Sequence, residues 1–317
     1  MLVFVTGGTG FVGSHSVAAL LRKGHQVRLL VRSPERVALA LEPLGVPDVD
    51  YVVGDVTAEG TVEEAMRGCQ AAIHAAGVYF FDTPLRRLRV GRMRETNIDG
   101  TTAVLGAAQR LGLDPIVHVS TFAALLPTEG RVLTPDSPSG SPRSAYSRSK
   151  ADADRAARRF QDEGAPVVIS YPGMVWGPHD PHLGESSTLA RLFIRGRVPL
   201  TPHGGVPVTD VRDVAAAHAA LLEPGRGPRR YLLGGTHLPF EDVVAGLARA
   251  AGHSIRHHAL SPGLTRLLGR VHEAFYLTEQ NARCDDSRAR EELGFEARDP
   301  QESFTDTVRW LAAQGQL

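Results

Sequence analysis

The chain has 317 residues, of which 42% are hydrophobic and 22% charged, with Lys plus Arg and Asp plus Glu equal at 35 each. That length suits one large α/β domain or two domains sharing a cleft, and the composition excludes disorder and collagen-like repeats. The balanced charge lacks the basic excess of a nucleic-acid binder, and Arg, His, Glu or Pro interrupts each apolar run short of the roughly 18 residues of a membrane span.

Along the first half, short β-rich runs alternate with Ala/Leu/Arg stretches of helical period. Strands are predicted at 2–6, 26–31, 50–53, 71–74, 115–120 and 167–171, and helices at 14–23, 61–67, 97–111 and 146–163. Six such alternations predict an α/β fold with a doubly wound parallel sheet. From Pro172 to Pro207 closely spaced prolines and glycines read as loops shaping a pocket. A helix at 211–222, a strand at 230–233 and helices at 240–251, 262–277 and 301–314 read as a smaller lobe interwoven with the first. Cys69 and Cys284 lack disulfide-framework or zinc spacing, and His179, His182 and His203 lack metal-ligand order, so no metal is expected. The amino terminus shows no signal-peptide order, which makes the cytoplasm the expected compartment.

Glycines at 7, 10 and 13 follow the first strand and open the first helix in Thr6-Gly7-Gly8-Thr9-Gly10-Phe11-Val12-Gly13. Gly7 can take the turn, Gly10 admits a pyrophosphate to the backbone, and Gly13 lets helix and strand pack closely, which points to a dinucleotide at the helix amino terminus. An acidic residue about 20 positions on would mark a free ribose 2′-hydroxyl. Val31 stands there instead, with Arg32 and Arg36 beside it, which favours NADP, with NAD as the alternative. Asp55 and Val56 at the third strand's end suit the adenine, and Ala75, Ala76 and Gly77 after the fourth let the chain run close to the cofactor. Tyr146 and Lys150 lie four apart, on one face of a helix start. A phenol with a free pKa of about 10 gains acidity beside an ammonium and an oxidised nicotinamide, and Lys150 can also hold the ribose hydroxyls. Thr121, with Ser120 as fallback, can hydrogen-bond a substrate oxygen.

These motifs resemble the extended short-chain dehydrogenase/reductase superfamily over nearly the whole chain: TGGTGFVGSH at 6–15, GDVT at 54–57, HAAG at 74–77, Asn97 in NIDGT, ST at 120–121, YSRSK at 146–150, PG at 172–173 and VRDVA at 211–215. The resemblance implies Tyr146 as acid/base, Lys150 as its partner, Thr121 as donor to a carbonyl and Asn97 as a structural or proton-relay residue. It adds Pro172 and Gly173 to the cofactor-binding residues and makes a homodimer the usual assembly. Within the superfamily, LLVRSPERV looks like the NADP-binding turn of dihydroflavonol-reductase-like and related epimerase-like members. The division it implies is a dinucleotide-binding Rossmann domain over 1–171, rejoined by 206–235, and a substrate lobe over 172–205 and 236–317.

Three functions compete: an oxidoreductase acting on an apolar ketone, aldehyde or secondary alcohol, a nucleotide-sugar epimerase or dehydratase, and a cofactor-sensing regulator. An intact Tyr146/Lys150 pair argues against the regulator. Phe122-Ala123 after Thr121, in place of Asp-Glu, argues against dehydration. Val206-Pro207 stands where sugar epimerases carry a diphosphate-binding Arg-Asp, although Arg191 or Arg195 could replace that clamp. Val78, Tyr79, Phe80, Phe81, Phe122, Met174 and Trp176 are expected to offer an apolar substrate mouth, or to pack the lobes together. The run Arg86, Arg87, Arg89, Arg92 and Arg94 reads as a solvated helix face or, less simply, an anion clamp.

Overall fold

Strand β1 (Leu2–Thr6) reads Leu-Val-Phe-Val-Thr, and Val3, Phe4 and Val5 have no solvent exposure. A strand buried on both faces belongs inside a sheet covered by helices on each side. In the computed structural model, which describes residues 1–46, 48–79 and 87–317 (87–90 as backbone alone), β1 sits there. The seven-stranded sheet runs β3 (Asp50–Val53), β2 (Gln26–Val31), β1, β4 (Ala71–His74), β5 (Ile116–Val119), β6 (Val167–Pro172), β10 (Arg229–Leu233), with every pair parallel. Val3 and Val5 face a layer formed by α1 (Phe11–Arg22), α2 (Glu35–Leu41), α8 (Val211–Ala220) and α12 (Ser287–Leu293). Phe4 faces the opposite layer of α3 (Glu59–Met66), α4 (Arg87–Arg94), α5 (Gly100–Arg110) and α6 (Ala145–Asp162), as the two-residue period of a strand requires.

The stretch from 172 to 205, expected to be loops, instead contains β7 (Met174–Trp176), α7 (Glu185–Ile194) and β8 (Leu200–Thr201). Its prolines flank these pieces; residues 182–198 hold none, which leaves room for three helical turns. A second sheet places β9 (Gly205–Asp210) between β7, parallel, and β11 (Thr236–Pro239), antiparallel. Helices α7, α9 (Phe240–Ala251) and α13 (Pro300–Ala313) bury Trp176, Phe193, Phe240 and Phe304 against it. Within 206–235, α8 and β10 join the larger sheet's layers, whereas β9 pairs in the smaller sheet. The short strand β12 (His258–Ala259) pairs with β8. The single helix expected at 262–277 is two, α10 (Pro262–Leu268) and α11 (Glu273–Glu279), because His272 adopts an extended conformation that starts a new helix. The chain crosses from the larger sheet to the smaller at Gly173, where a Cβ would lie 2.7 Å from the carbonyl oxygens of both Pro207 and Gly234. Among the described residues no helix is long and apolar enough to cross a membrane.

Candidate active site

The strand order reverses at β1, so the loops leaving β1 and β4 diverge and open a crevice at the sheet's carboxyl edge, where open α/β sheets bind ligands. Gly7, just past β1, has φ +74°, and Gly10 donates its N–H to the Gly7 carbonyl at 2.9 Å. Gly10 then caps α1 in an extended conformation, and no side chain bonds the cap. The first intrahelical bond is Ser14 N–H to Gly10 O at 2.8 Å, so the N–H groups of Phe11, Val12 and Gly13 precede the helical ladder at its positive end. A Cβ on Gly13 would stand 2.0 Å from Gly7 O, and one on Gly7 would stand 2.5 Å from the backbone of Ala75 and Ala76. The cradle therefore suits a pyrophosphate: bare backbone with donors and no side chain in the way. Thr9 is half-buried within the same loop.

At the end of β2, Val31 is buried, while Arg32, just past it, and Arg36, in the first turn of α2, are exposed. Asp55 accepts both the N–H and the hydroxyl of Thr57, at 3.0 and 2.8 Å. Burial pushes the Asp55 carboxyl up, but these bonds and the positive charges of Arg32 and Arg92 outweigh it and hold the group below its usual range. Val56 is buried on the α5 side.

Tyr146 and Lys150 occupy the first turns of α6, whose cap, Ser144, accepts the Ser147 N–H at 3.3 Å. Tyr146 is half-buried, with the Tyr79 ring edge-on at 4.2 Å. Lys150 is buried and donates from Nζ to Val119 O at 3.2 Å; burial brings its ammonium down to about 8, with Asp154 opposing. Burial also pushes the Tyr146 phenol well above its usual range, and the negative charges of Glu273 and Glu185 add to this. The expected drift of Tyr146 toward phenolate is therefore not a property of the protein alone: the phenol is held protonated. Just past β5, Thr121 is half-buried, and its Oγ accepts the Ala123 N–H at 3.3 Å, so its hydroxyl hydrogen is free to point elsewhere. Ser120 is buried, and its Oγ has no hydrogen bond among the described residues.

Asn97 lies in a π-helical turn (Glu95–Asp99) between α4 and α5. Its Oδ1 accepts the Val78 N–H at 2.8 Å, and its Nδ2 donates to Val78 O and Ser149 Oγ, both at 3.0 Å. It thus braces the segment after β4 against the catalytic helix. Gly77 lies alongside: a Cβ there would be 3.5 Å from Asn97 Oδ1 and 3.9 Å from Lys150 Nζ.

Beneath these groups runs a chain that the sequence reading did not assign. Thr101 donates its hydroxyl to Asn97 O at 2.7 Å, so it must accept from His74 Nε2, 3.1 Å away. His74 Nδ1 is then an acceptor for the Thr6 hydroxyl at 2.7 Å. Burial brings His74 down to about 3, so the ring is neutral and every bond has one direction. The signal in the sequence was His74 in HAAG, one strand-end residue among small neighbours.

Other expected site residues are placed differently. Trp176 and Phe122 are core residues; Trp176 is wholly buried and packs edge-on to Phe304 at 5.0 Å, so neither walls a substrate mouth. Met174 and Val78 are half-buried, and Phe80, Phe81 and Arg86 lie outside the described residues. Arg92 and Arg94 are exposed on α4. Arg191 Nε donates to Gln316 O at 3.2 Å, and Arg195 is exposed on the smaller lobe. Pro172 ends β6 in register with Leu233, and Gly173 follows at the crossover. Among the described residues no group of His, Cys, Asp and Glu has the makings of a metal site.

Residues 3–234 match the NAD-dependent epimerase/dehydratase family. A candidate dihydroflavonol 4-reductase of Synechocystis sp. is 30% identical over 98% of this chain and 95% of its own length. The 4-hydroxy-2-methyl-3-oxo-4-farnesyl-3,4-dihydroquinoline-1-oxide ketoreductase of Stigmatella aurantiaca is 29% identical over 100% of this chain and 98% of its own. The crystal structure of gox2253 has the same fold at TM-score 0.85 and 26% identity, covering 100% of this chain and 99% of that one. With its glycine cradle, parallel sheet and matched span of 232 residues counted from 3 to 234, the chain belongs to the NAD-dependent epimerase/dehydratase family of extended short-chain dehydrogenases/reductases and is an NAD(P)-dependent enzyme of that family.

Proposed function

We propose that the protein reduces a largely apolar ketone or aldehyde with NADPH, and that Tyr146 donates the proton to the carbonyl oxygen. The placement of Tyr146 carries this reading: its phenol, protonated at neutral pH, stands one turn from the Lys150 ammonium on α6, and Thr121, just past β5, keeps a hydroxyl hydrogen free for a carbonyl oxygen. When bound, the reduced nicotinamide supplies the hydride. The cradle from Gly7 to Gly13 would hold the pyrophosphate, Arg32 and Arg36 the ribose 2′-phosphate, and Asp55 and Val56 the adenine side. Ala75, Ala76, Gly77, Pro172 and Gly173 would border the cofactor, and Lys150 would hold the nicotinamide ribose. Thr121 would orient the carbonyl, with Ser120 as the alternative donor. On this reading residues 1–171 and 206–235 serve the cofactor, and 172–205 and 236–317 serve the substrate.

The choice of substrate class is supported by β9, where Val206 and Pro207 are buried. The neighbouring cation, Arg212, is bound to Asp210 and Asp306 at 2.8 and 2.7 Å, and so is neutralised rather than offered to a diphosphate. The reductase names of the two relatives agree with this reading. The test is a panel of aryl ketones and β-ketoesters with NADPH or NADH, set against UDP-, GDP- and dTDP-sugars. We expect NADPH oxidation with some of the carbonyl compounds, a loss of about a hundredfold or more in Tyr146→Phe with cofactor binding kept, and NADPH affinity weakened about tenfold or more in Arg32→Ala. Micromolar binding of a nucleotide sugar, or equal use of NADH, would overturn the corresponding part.

A further inference from the structure

Glu273 belongs to α11, more than a hundred residues beyond the catalytic helix, yet it is 2% exposed and its carboxylate rests on that helix's first turn. Ser144 Oγ donates to Glu273 Oε1 at 2.7 Å, and Ser147 Oγ donates to the same oxygen at 2.6 Å. The two serines bracket Tyr146. Ser144 is also the helix cap, so a single carboxylate oxygen gathers the cap and the residue following the tyrosine. Hydroxyl bonds to an ionised acceptor are about twice as strong as neutral ones, and an anion is favoured at a helix amino terminus.

We propose that Glu273 is a positioning residue for the proton transfer: reaching across from α11, its carboxylate holds the first turn of α6, and with it Tyr146, through Ser144 and Ser147. This rests on Tyr146 being the acid, and deepens that reading by making the substrate lobe the anchor of the turn that carries it. Among the described residues, the titratable groups facing Tyr146 are Glu273 from α11, Glu185 from the first turn of α7 and Tyr79 from the segment after β4, while Lys150 on α6 itself turns its ammonium to Val119 O. The two carboxylates act in the same direction on the phenol, with Glu273 the stronger. Ionising the phenol means adding a second negative charge beside the first, so removing the Glu273 charge makes ionisation easier. The proton then leaves Tyr146 at lower pH.

Glu273→Gln separates charge from clamp, because its amide oxygen can still accept from both serines; Ser147→Ala loosens the clamp and keeps the charge. Two readouts follow in the full-length protein with NADP(H). One is the ultraviolet phenolate titration of the NADP⁺ complex, taken as the difference from Tyr146→Phe, which needs no substrate. The other is kcat for NADPH-driven reduction of ethyl benzoylacetate. We expect the Tyr146 signal to move down by about one pH unit in Glu273→Gln. In Ser147→Ala it should stay in place while kcat falls several-fold. The proposal is overturned if the Tyr146 signal develops at the same pH in Glu273→Gln as in the parent, or in neither below the pH of unfolding. Retained turnover in Tyr146→Phe would instead remove the reading of Tyr146 as the acid, a separate outcome from the titration of the phenol.

Discussion

Gly13→Ala and Gly10→Ala differ by three residues in one loop and are expected to fail in different ways. A Cβ at position 13 would stand 2.0 Å from Gly7 O, 2.7 Å from Gly7 C and 3.1 Å from Gly8 Cα, where a carbon and an oxygen ordinarily approach to about 3.3 Å. Relief requires a shift of more than about 1 Å, and the loop cannot retreat, because Gly7 is itself wedged against the backbone of Ala75 and Ala76. Overpacking of this kind costs about 1–3 kcal/mol, more than the 1 kcal/mol or so that alanine gains over glycine inside a helix. At position 10 a Cβ meets one atom, Gly7 O, at 3.3 Å, so the fold can take the methyl group. That methyl would nevertheless occupy the cap where a phosphate must reach backbone N–H groups. Thermal melts with and without NADPH, together with fluorescence titration of NADPH, distinguish the two. Gly13→Ala should melt several degrees lower and bind at least about tenfold more weakly, whereas Gly10→Ala should melt within about 3 °C of the parent and still lose affinity. A Gly13→Ala protein that melts and binds like the parent would refute the reasoning.

Two predictions concern the fold that carries the site. Asp154, one turn beyond Lys150, is fully buried and accepts from Tyr171 Oη at 2.7 Å and Ser139 Oγ at 2.5 Å while pairing with Arg158 at 2.9 Å. Asp154→Ala strands a largely buried guanidinium and should lower urea-unfolding stability by about 3–5 kcal/mol; a loss below about 1 kcal/mol would show the network to be dispensable. The second concerns pH: burial brings His74 to about 3 and His15 and His218 to about 4. Their folded values lie below the unfolded 6.5, so the unfolded chain binds more protons, and stability is complete above about pH 6.5 and lost as pH falls toward 4. Three such groups give a slope of up to about 4 kcal/mol per pH unit near pH 5, so urea midpoints at pH 7, 6 and 5 should fall progressively, and a flat series would contradict the buried neutral rings.

The larger sheet was legible because its early strands are short β-branched and apolar runs bounded by turns, of which the central β1 and β4 are buried on both faces, and because segments of helical period alternate with them. The glycine cradle and the Tyr146/Lys150 pair were legible for a related reason: local spacing alone puts these residues on one turn. What escaped the sequence depends on distant partners. Helix α7 hid among prolines that turn out to flank it. Trp176 and Phe122 carry the chemistry of a pocket wall, and what distinguishes a wall from a core is the Phe304 ring brought to Trp176 from 128 positions away. Glu273 had no local signal at all, since a carboxylate on a short helix acquires meaning only when Ser144 and Ser147 meet it.

The titration of His74 links stability to the geometry of the site. The ring orders its chain only while neutral, with Nδ1 accepting from Thr6 and Nε2 donating to Thr101, which passes its own hydrogen to the backbone of Asn97. Thr6 ends β1 immediately before the cradle, and Asn97 ties Val78, after β4, to Ser149 on the catalytic helix. A proton on Nδ1 would face the Thr6 hydroxyl with a second donor; that hydroxyl would have to turn away, and the link between cradle and Asn97 would lose its fixed direction. One of the rings that forfeit folding energy in acid is therefore also the one that links the pyrophosphate loop to the catalytic helix. We therefore expect acid to cost stability and the aligned site together, through this protonation rather than through Tyr146, whose phenol stays protonated in that range.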